Sequence, residues 1–298
     1  MKEYGPVLVT GAGSGIGRAI TETLTRDGHL VYATARKDAD LKALDRIPNV
    51  EAIKLDVTNS TDVKKAAETV MERGRGLYGL VNNAGTAYGW PVAECTDEDL
   101  HEVFEVNVIG VHRVTRAMLP FLARSNGRIV NIGSVYGFGV TQFLGAYQMS
   151  KHALEAYSDS LALNLGKHGI LVTIIEPGSY MSAIDATSNN GTRKRALSRT
   201  PILMKREIAR YVRQLDRGID DDKRAPPEGV AKVVADALFS KTPKHRYVPT
   251  PVKEEFFWAI ESIAVRLIQA NAGNERALDR KQMHAFLDEI WDKEVKKS

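Results

Sequence analysis

The sequence predicts an α/β fold in which seven parallel strands form a doubly wound sheet with helices on both faces. Short β-rich apolar runs alternate along the chain with longer segments of helical period, which is the pattern of βαβ units. A glycine-rich turn follows the first run and opens a helical segment. Beyond the last run, two further helical patterns predict a C-terminal helical extension.

Seven apolar runs are the predicted strands. They cover residues 7–10, 30–34, 51–55, 79–82, 127–132, 171–176 and 246–248. Between them, Ser60 is predicted to cap a helix, and Thr96, followed by three acidic residues, is predicted to open another, because acidic side chains stabilise the positive end of a helix. Residues 146–167 carry an apolar stripe at helical spacing and predict a third, long helix.

The composition excludes several classes of protein. The chain has 298 residues, 43% of them hydrophobic and 26% charged, which is enough apolar material for a core and excludes a disordered chain. The single cysteine, Cys95, makes no disulfide within the chain, and the seven histidines show no close-paired ligand spacing, so no metal site is expected. We see no signal peptide and no uncharged apolar stretch of about 18 residues, and therefore expect a cytoplasmic protein.

The regular alternation stops near residue 179, and we predict a substrate lid over residues 180–225. Residues 193–213 hold eight basic side chains and one acid, Glu207. Tyr211 is the only aromatic residue in this stretch, so we interpret it as a solvated helix face and expect no nucleic-acid partner. We predict one domain over residues 1–252, which includes the lid, and a helical extension over residues 253–298 packed on that domain.

The extension carries an apolar stripe over residues 256–268, interrupted by Glu261 and Arg266. The stripe could cover an apolar substrate pocket, pack at a subunit interface or lie on a membrane. We disfavour the membrane because the stripe is short and its ends are not rich in lysine.

The glycine-rich turn, Gly11 to Gly17, stands where a dinucleotide pyrophosphate binds in doubly wound folds. Glycines let the backbone turn tightly and approach the phosphates, and the free amides at the helix start stabilise negative charge. A glycine pattern alone also fits an ordinary turn. The preceding strand and the following helix favour the binding interpretation.

Tyr147 and Lys151 are four residues apart on the predicted third helix and therefore share a face. A nearby ammonium stabilises a phenolate, so Lys151 is expected to lower the pKa of Tyr147 and make it a usable general acid or base. Ser134, at the end of the fifth strand, could donate a hydrogen bond to the same substrate oxygen. Taken alone, the Tyr147 and Lys151 spacing also fits a surface helix pair.

Taken together, the motifs resemble those of the classical short-chain dehydrogenase/reductase family. The resemblance covers residues 7 to 181, is co-linear, and implies a Rossmann-type fold. The matching positions are Thr10, Gly11, Gly15 and Gly17, then Asn82, Asn83, Ala84 and Gly85, then Asn107, Ser134, Tyr147, Lys151, Pro177 and Gly178.

The resemblance implies reversible hydride transfer between a nicotinamide cofactor and an alcohol or carbonyl substrate. It implies that Tyr147 gives or takes the hydroxyl proton, that Ser134 orients the carbonyl group and that Lys151 tunes Tyr147 and holds the nicotinamide ribose. Asn107 would hold a water molecule that links Lys151 to solvent, or would satisfy a helix kink, and the two roles are compatible.

The end of the second strand predicts NADP(H) rather than NAD(H). An NAD enzyme usually places an acid there to bind the ribose hydroxyls, whereas an arginine accommodates a 2′-phosphate. Here Ala35 occupies the acidic position and Arg36 and Lys37 follow it. Asp38 and Asp40 lie slightly too late to bind the ribose.

The remaining cofactor contacts follow from the resemblance. Asp56 and Val57 would contact the adenine, and Ser182 stands where the family commonly has a threonine that binds the carboxamide. The predicted cofactor-binding residues are Gly11, Ser14, Gly15, Ile16, Gly17, Arg36, Lys37, Asp56, Val57, Asn83, Ala84, Gly85, Tyr147, Lys151, Pro177, Gly178 and Ser182.

The C-terminal tail and the second strand are similar to those of the hydroxysteroid and retinol dehydrogenase branch, which implies a bulky apolar substrate. An alternative is a ketoreductase of 3-oxoacyl thioesters, against which the long tail argues. A non-catalytic NADP-binding sensor is the alternative of another class, against which the complete set of Ser134, Tyr147 and Lys151 argues. The resemblance also implies a homodimer or homotetramer formed through the helices that begin near Thr96 and Ala146.

Overall fold

The computed structural model describes residues 4–217 and 224–295, and it contains the predicted seven-stranded parallel sheet. The strand order is β3-β2-β1-β4-β5-β6-β7, so the direction of winding reverses between β1 and β4. Val7 of β1 is paired with Val31 on one side and with Gly79 on the other. The strands are β1 (Val7–Val9), β2 (Val31–Ala35), β3 (Val50–Lys54), β4 (Gly79–Asn82), β5 (Arg128–Ile132), β6 (Leu171–Ile175) and β7 (Arg246–Tyr247).

Helices cover both faces of the sheet, and the long helix after β4 is interrupted by a π-helical segment, Glu105–Gly110. The helices are α1 (Gly15–Arg26), α2 (Asp38–Leu44), α3 (Ser60–Glu72), α4 (Asp97–Phe104), α5 (Val111–Ser125), α6 (Gly145–Leu165), α7 (Ala183–Ser198), α8 (Lys205–Asp216), α9 (Glu228–Phe239), α10 (Lys253–Asn271) and α11 (Arg280–Val295).

The sheet is buried on both faces, and apolar residues predominate in its central strands. Val7 and Val9 belong to the core that includes residues of α1 and α9, whereas Leu8 belongs to the core that includes residues of α3 and α5. Successive side chains of a strand point to opposite faces, so one short strand supplies both cores. The arrangement confirms the predicted fold class.

Two helix starts were predicted from capping residues, and one of them is wrong. Thr96 caps α4 as predicted, in a reciprocal capping box with Asp99. The cap of α3 is Asn59 rather than Ser60, and its side chain accepts hydrogen bonds from the amides of Thr61 and Asp62. Asn59 has extended backbone angles, whereas Ser60 already lies inside the helix.

The predicted lid consists mainly of α7 and α8, and residues 218–223 lie outside the described residues. Two acidic side chains, one in the first turn of α4 and one just before that helix, bind this segment. Asp99 accepts hydrogen bonds from Arg195 Nε and Arg199 Nη2, each at 2.9 Å, and is nearly inaccessible to solvent. Glu94 accepts hydrogen bonds at 2.8 Å from three successive amides at residues 202–204, just before α8.

The first helix of the extension, α10, packs on the loop that follows β5. Ala259 is fully buried in a cluster with Val135 and Phe138. In α11, large apolar side chains remain exposed, including Phe286 and Trp291. Across the described part of the chain, every helix is too short or too polar to span a membrane.

We predict that Asp99→Asn loosens the lid. Burial opposes ionisation of Asp99, but hydrogen bonds from Arg199, Thr96 and Arg195 outweigh it and lower its pKa to about 2. The substitution leaves two guanidinium groups beside a neutral side chain, and removing one partner from a buried ion network costs about 3 kcal/mol. Chemical denaturation at neutral pH measures this loss.

Glu102→Gln is the matched control, because Glu102 also binds Arg195 but its side chain is 58% exposed. We expect it to cost less than about 1 kcal/mol. Since the pKa of Asp99 is depressed, its contribution is complete above the ordinary aspartate pKa and disappears as the pH falls toward about 2. Equal losses in the two variants would contradict this account of the lid.

Candidate active site

The glycine-rich turn has a backbone shape that side chains would obstruct. Gly11 and Gly15 have φ angles of +65° and +54°, which are left-handed and favour glycine. A Cβ atom on Gly17 would overlap the carbonyl oxygen of Gly11. Ser14 precedes α1 as its exposed N-cap residue, and its hydroxyl makes no capping hydrogen bond. The amides that open α1 lie beside this cradle, which therefore fits a pyrophosphate.

The end of β4 is tied to the glycine-rich turn by Asn83. Its side-chain amide donates to the carbonyl oxygen of Thr10 at 2.9 Å. The Thr10 hydroxyl in turn accepts from the backbone amides of Asn83 and Ala84, at 2.9 and 3.0 Å. The structure thereby brings together the cofactor residues that were predicted from two separate motifs, with Gly85 following them next to Asn107.

The end of β2 presents exposed positive charge. The Arg36 side chain is 69% exposed and its Nη1 lies 3.8 Å from Asp56 Oδ2. Burial opposes ionisation of Asp56, but hydrogen bonds from Thr58 and the neighbouring Arg36 lower its pKa. Lys37 is exposed at the start of α2, and Val57 is buried behind Asp56. Arg36 and Asp56, predicted for opposite ends of the adenosine, are therefore neighbours.

The two acids after Lys37 have other neighbours. Asp38 is paired with Lys54 at 2.9 Å. The Asp40 carboxylate lies against Gly13, since a Cβ atom there would be 2.9 Å from Asp40 Oδ2. Asp38 is thus engaged by a cation outside the glycine-rich turn.

Ser134, Tyr147 and Lys151 meet beyond the end of β5. Ser134 follows the strand in an extended conformation, and its hydroxyl hydrogen-bonds the Tyr147 hydroxyl. Lys151 lies one turn after Tyr147 on α6, with its Nζ 5.6 Å from the Tyr147 ring centre. That Nζ donates to the carbonyl oxygen of Ile132 at 2.7 Å.

The expected lowering of the Tyr147 pKa is wrong for this structure. Burial raises the pKa of Tyr147 to about 12, and the hydrogen bond from Ser134 only partly opposes it. Burial also lowers the pKa of Lys151 to about 8, against the attraction of Glu155 and Glu176. The loss of hydration thus acts on both groups in the direction that favours their neutral forms. At neutral pH, Tyr147 is a proton donor.

Asn107 occupies the π-helical segment and braces the site. Its Oδ1 accepts from the Thr86 amide at 2.8 Å, and its Nδ2 donates to the Thr86 carbonyl and to Ser150 Oγ, both at 2.9 Å. Ser150 donates to the Tyr147 carbonyl at 2.6 Å. Asn107 therefore joins the loop after β4 to the helix that carries Tyr147, as expected of an asparagine at a kink.

The loop after β6 carries Pro177 and Gly178, and Ser182 ends it as the cap of α7. The Ser182 hydroxyl accepts from the amide of Ile184 at 3.3 Å. Glu255 of α10 lies against this loop and accepts from the Ser179 amide at 3.0 Å. No local sequence signal pointed to Glu255, because the contact joins residues 76 positions apart.

Aromatic side chains form a wall beside Tyr147, and the sequence did not predict it. The Tyr136 ring lies edge-on to Tyr147, with 6.2 Å between the ring centres. Trp258 of α10 in turn lies edge-on to Tyr136 at 5.6 Å. Within residues 4–217 and 224–295, no cluster of three or more histidine, cysteine or acidic side chains is arranged to hold a metal ion.

Comparisons with known proteins agree with this geometry. The family model of the short chain dehydrogenases matches residues 6–193. The NADPH-dependent 3-dehydrocapnine reductase of Ornithobacterium rhinotracheale is 33% identical over 272 residues, covering 88% of this chain and 93% of the relative. Retinol dehydrogenase 16 of Mus musculus is 33% identical over 252 residues, covering 81% and 79%.

A solved structure is also similar. The crystal structure of a short-chain dehydrogenase from Streptomyces avermitilis has a TM-score of 0.72 and 30% sequence identity, and the match covers 91% of this chain and 95% of that one. Both the fold and the sequence are thus shared over most of the chain. The protein belongs to the short-chain dehydrogenase/reductase family, whose members are NAD(P)-dependent oxidoreductases acting on alcohols and carbonyl compounds.

Proposed function

We propose that the protein is an NADP(H)-dependent oxidoreductase that interconverts a secondary alcohol and a ketone or aldehyde, with Tyr147 as the general acid and base. The observation that carries the proposal is the meeting of Ser134, Tyr147 and Lys151 at the same edge of the sheet as the glycine cradle. A protein that only bound the cofactor would not need a phenol placed beside a buried amine. The proposal therefore favours an enzyme over a sensor.

The chain's own residues supply binding, orientation and a proton. The cofactor supplies the hydride when it is bound. Ser134 is placed to hold the substrate oxygen beside the Tyr147 hydroxyl, and Tyr147 donates its proton to that oxygen in the direction of reduction. Lys151 places positive charge beside Tyr147 and would hold the nicotinamide ribose, and Asn107 braces α6 through Ser150.

NADP(H) is proposed because the end of β2 offers two exposed cations, and the first acid after them is paired with a lysine. Arg36 and Lys37 are exposed, residue 35 is an alanine, and Asp38 is engaged by Lys54. An exposed guanidinium can bind a 2′-phosphate through two parallel hydrogen bonds. The relative from Ornithobacterium, named as NADPH-dependent, supports the same choice.

A bulky apolar substrate is proposed from the aromatic wall. Tyr136 and Trp258 extend the surface beside Tyr147 with apolar rings, and Trp258 comes from the C-terminal extension. The likeness to a retinol dehydrogenase supports a retinoid- or steroid-like compound. Among the described residues, we find no contact that favours the thioester ketoreductase. The cytoplasmic location and the homodimer or homotetramer stay predictions.

The proposal is tested by following NADPH oxidation with the purified protein against ketosteroids, retinal, small aromatic ketones and an acetoacetyl thioester, with NADH in parallel. We expect turnover of the bulky apolar carbonyl compounds with NADPH. Turnover of the thioester alone would contradict the proposed substrate class and support the thioester ketoreductase. Tight NADPH binding without turnover of any compound would contradict an enzyme and support the NADP-binding sensor.

We predict that Tyr147→Phe lowers kcat at least about 100-fold, because it removes the proton that the substrate oxygen receives. NADPH affinity, measured by fluorescence titration, is expected to stay unchanged within about twofold, since the ring and Lys151 remain. Tyr157→Phe is the control on the same helix. Its hydroxyl lies 3.5 Å from His112, away from Ser134, and we expect full activity. Undiminished turnover by Tyr147→Phe would contradict the assignment of Tyr147 as the proton donor.

We predict that Arg36→Asp weakens NADPH binding about tenfold or more and shifts preference toward NADH, because a carboxylate repels the 2′-phosphate and accepts from ribose hydroxyls. The ratio of kcat/KM for the two cofactors measures this shift. Lys42→Asp, at an exposed position in the last turn of α2, makes the same charge change outside the predicted contact and serves as control. If the ratio of kcat/KM for NADPH and NADH were equal in the two variants, the 2′-phosphate would not bind at Arg36.

A further inference from the structure

The helix that carries Tyr147 and Lys151 continues the same stripe with two acids. Tyr147, Lys151, Glu155 and Asp159 follow one another at intervals of four residues on α6, so they share one face. The stripe runs from the buried site to the solvent, where the Asp159 side chain is 52% exposed. Glu155 is therefore the acid that stands one turn from Lys151.

A second acid, Glu176, meets Glu155 from the end of β6. Glu176 is 0% exposed. Among the described residues, neither of its carboxyl oxygens accepts a hydrogen bond from an N–H or O–H group of standard geometry. Glu155 Oε1 is buried in the same way. A Cβ atom on Gly137 would lie 3.1 Å from Glu176 Oε1 and 3.4 Å from Glu155 Oε1, so both oxygens crowd the same point. Two carboxyl groups can hydrogen-bond each other only if one carries a proton.

The guanidinium group of Arg246 forms ion pairs with all three acids of this cluster. Arg246 lies 3.3 Å from Glu176, 2.5 Å from Glu155 and 3.1 Å from Asp159. His245, the preceding residue, lies 2.8 Å from Asp159. The turn after β5 places the backbone of Gly133 and Gly137 against the two glutamates. With one proton on the glutamate pair, the three acids carry two negative charges, which Arg246 and Lys151 balance.

We propose that Glu155 and Glu176 share a single proton and act as positioning residues whose one remaining negative charge keeps Lys151 cationic. The inference deepens the proposed function, since it assumes that the charge of Lys151 matters for turnover. Burial, together with the neighbouring Glu155, raises the pKa of Glu176 far above its usual range. Both glutamates also attract the Lys151 proton against the effect of burial.

The shared proton is tested without any activity measurement by infrared difference spectroscopy. At about pH 8 ordinary carboxyl groups are ionised. The spectrum of wild type minus Glu176→Gln is expected to show the C=O stretching band of one protonated carboxylic acid. Wild type minus Glu155→Gln is expected to show the same band, because each single variant leaves one ionised acid. Asp159→Asn is the control. This variant retains the protonated acid, so the spectrum of wild type minus Asp159→Asn is expected to lack the band. Absence of the band in both differences would overturn the proposal.

The effect on Lys151 is tested by the alkaline limb of kcat/KM, which reports the loss of a proton from the free enzyme. The glutamate pair carries one negative charge, and each single Gln variant leaves one ionised acid with the same charge. Either single variant should therefore move the alkaline limb by less than about 0.3 pH unit. The Glu155→Gln/Glu176→Gln double variant removes the charge and should move it about one unit to lower pH. Additive shifts in the singles would show two ionised acids and overturn the proposal.

The outcomes distinguish this inference from the proposed function. If the infrared band is present but Tyr147→Phe retains full turnover, the pair shares a proton and the assigned mechanism is wrong. If Tyr147→Phe is inactive but the double variant leaves the alkaline limb in place, the mechanism stands and the glutamate pair does not position Lys151.

Discussion

The parallel direction of all seven strands is the constraint on which the rest of the structure depends. Because every strand ends at the same edge, the segments that follow β1, β4, β5 and β6 converge there although they are far apart in sequence. Reversal of the winding between β1 and β4 opens a crevice at that edge. Asn83 fixes the crevice by hydrogen-bonding across it to Thr10. The glycine cradle and the catalytic candidates therefore face the same space.

Loss of hydration sets the chemistry of that edge. Lys151 and Glu176 are buried and Tyr147 is partly buried, and the loss of hydration moves the pKa of each toward its neutral form. A buried group remains ionised where an opposite charge offsets the loss of hydration, as Arg246 does beside the glutamates. The same rule applies to the predicted lid, where two arginines compensate the buried carboxylate of Asp99. The protonation of the candidate catalytic residues and the attachment of α7 to α4 thus depend on the same balance between burial and charge pairing.

The C-terminal extension packs against the candidate active site. Glu255 accepts a hydrogen bond from the loop after β6, and Trp258 adds the outer part of the aromatic wall next to Tyr136. Ala259 fixes α10 by being fully buried below them. The match to the family model ends at residue 193, so α10 lies outside it and contacts loops that lie inside it.

The sequence by itself determined the seven strands, their winding and the motifs at their ends, because strand burial and glycine backbone angles leave local signals in the residue pattern. It also determined Thr96 as a helix cap, although it placed the cap of α3 one residue late, at Ser60 instead of Asn59.

Only the tertiary structure decided the direction of the Tyr147 pKa, the contact of Glu255 with Ser179 and the meeting of Glu155 with Glu176. Each of these depends on which distant segments exclude water from a group, and that exclusion is a property of packing rather than of neighbouring residues.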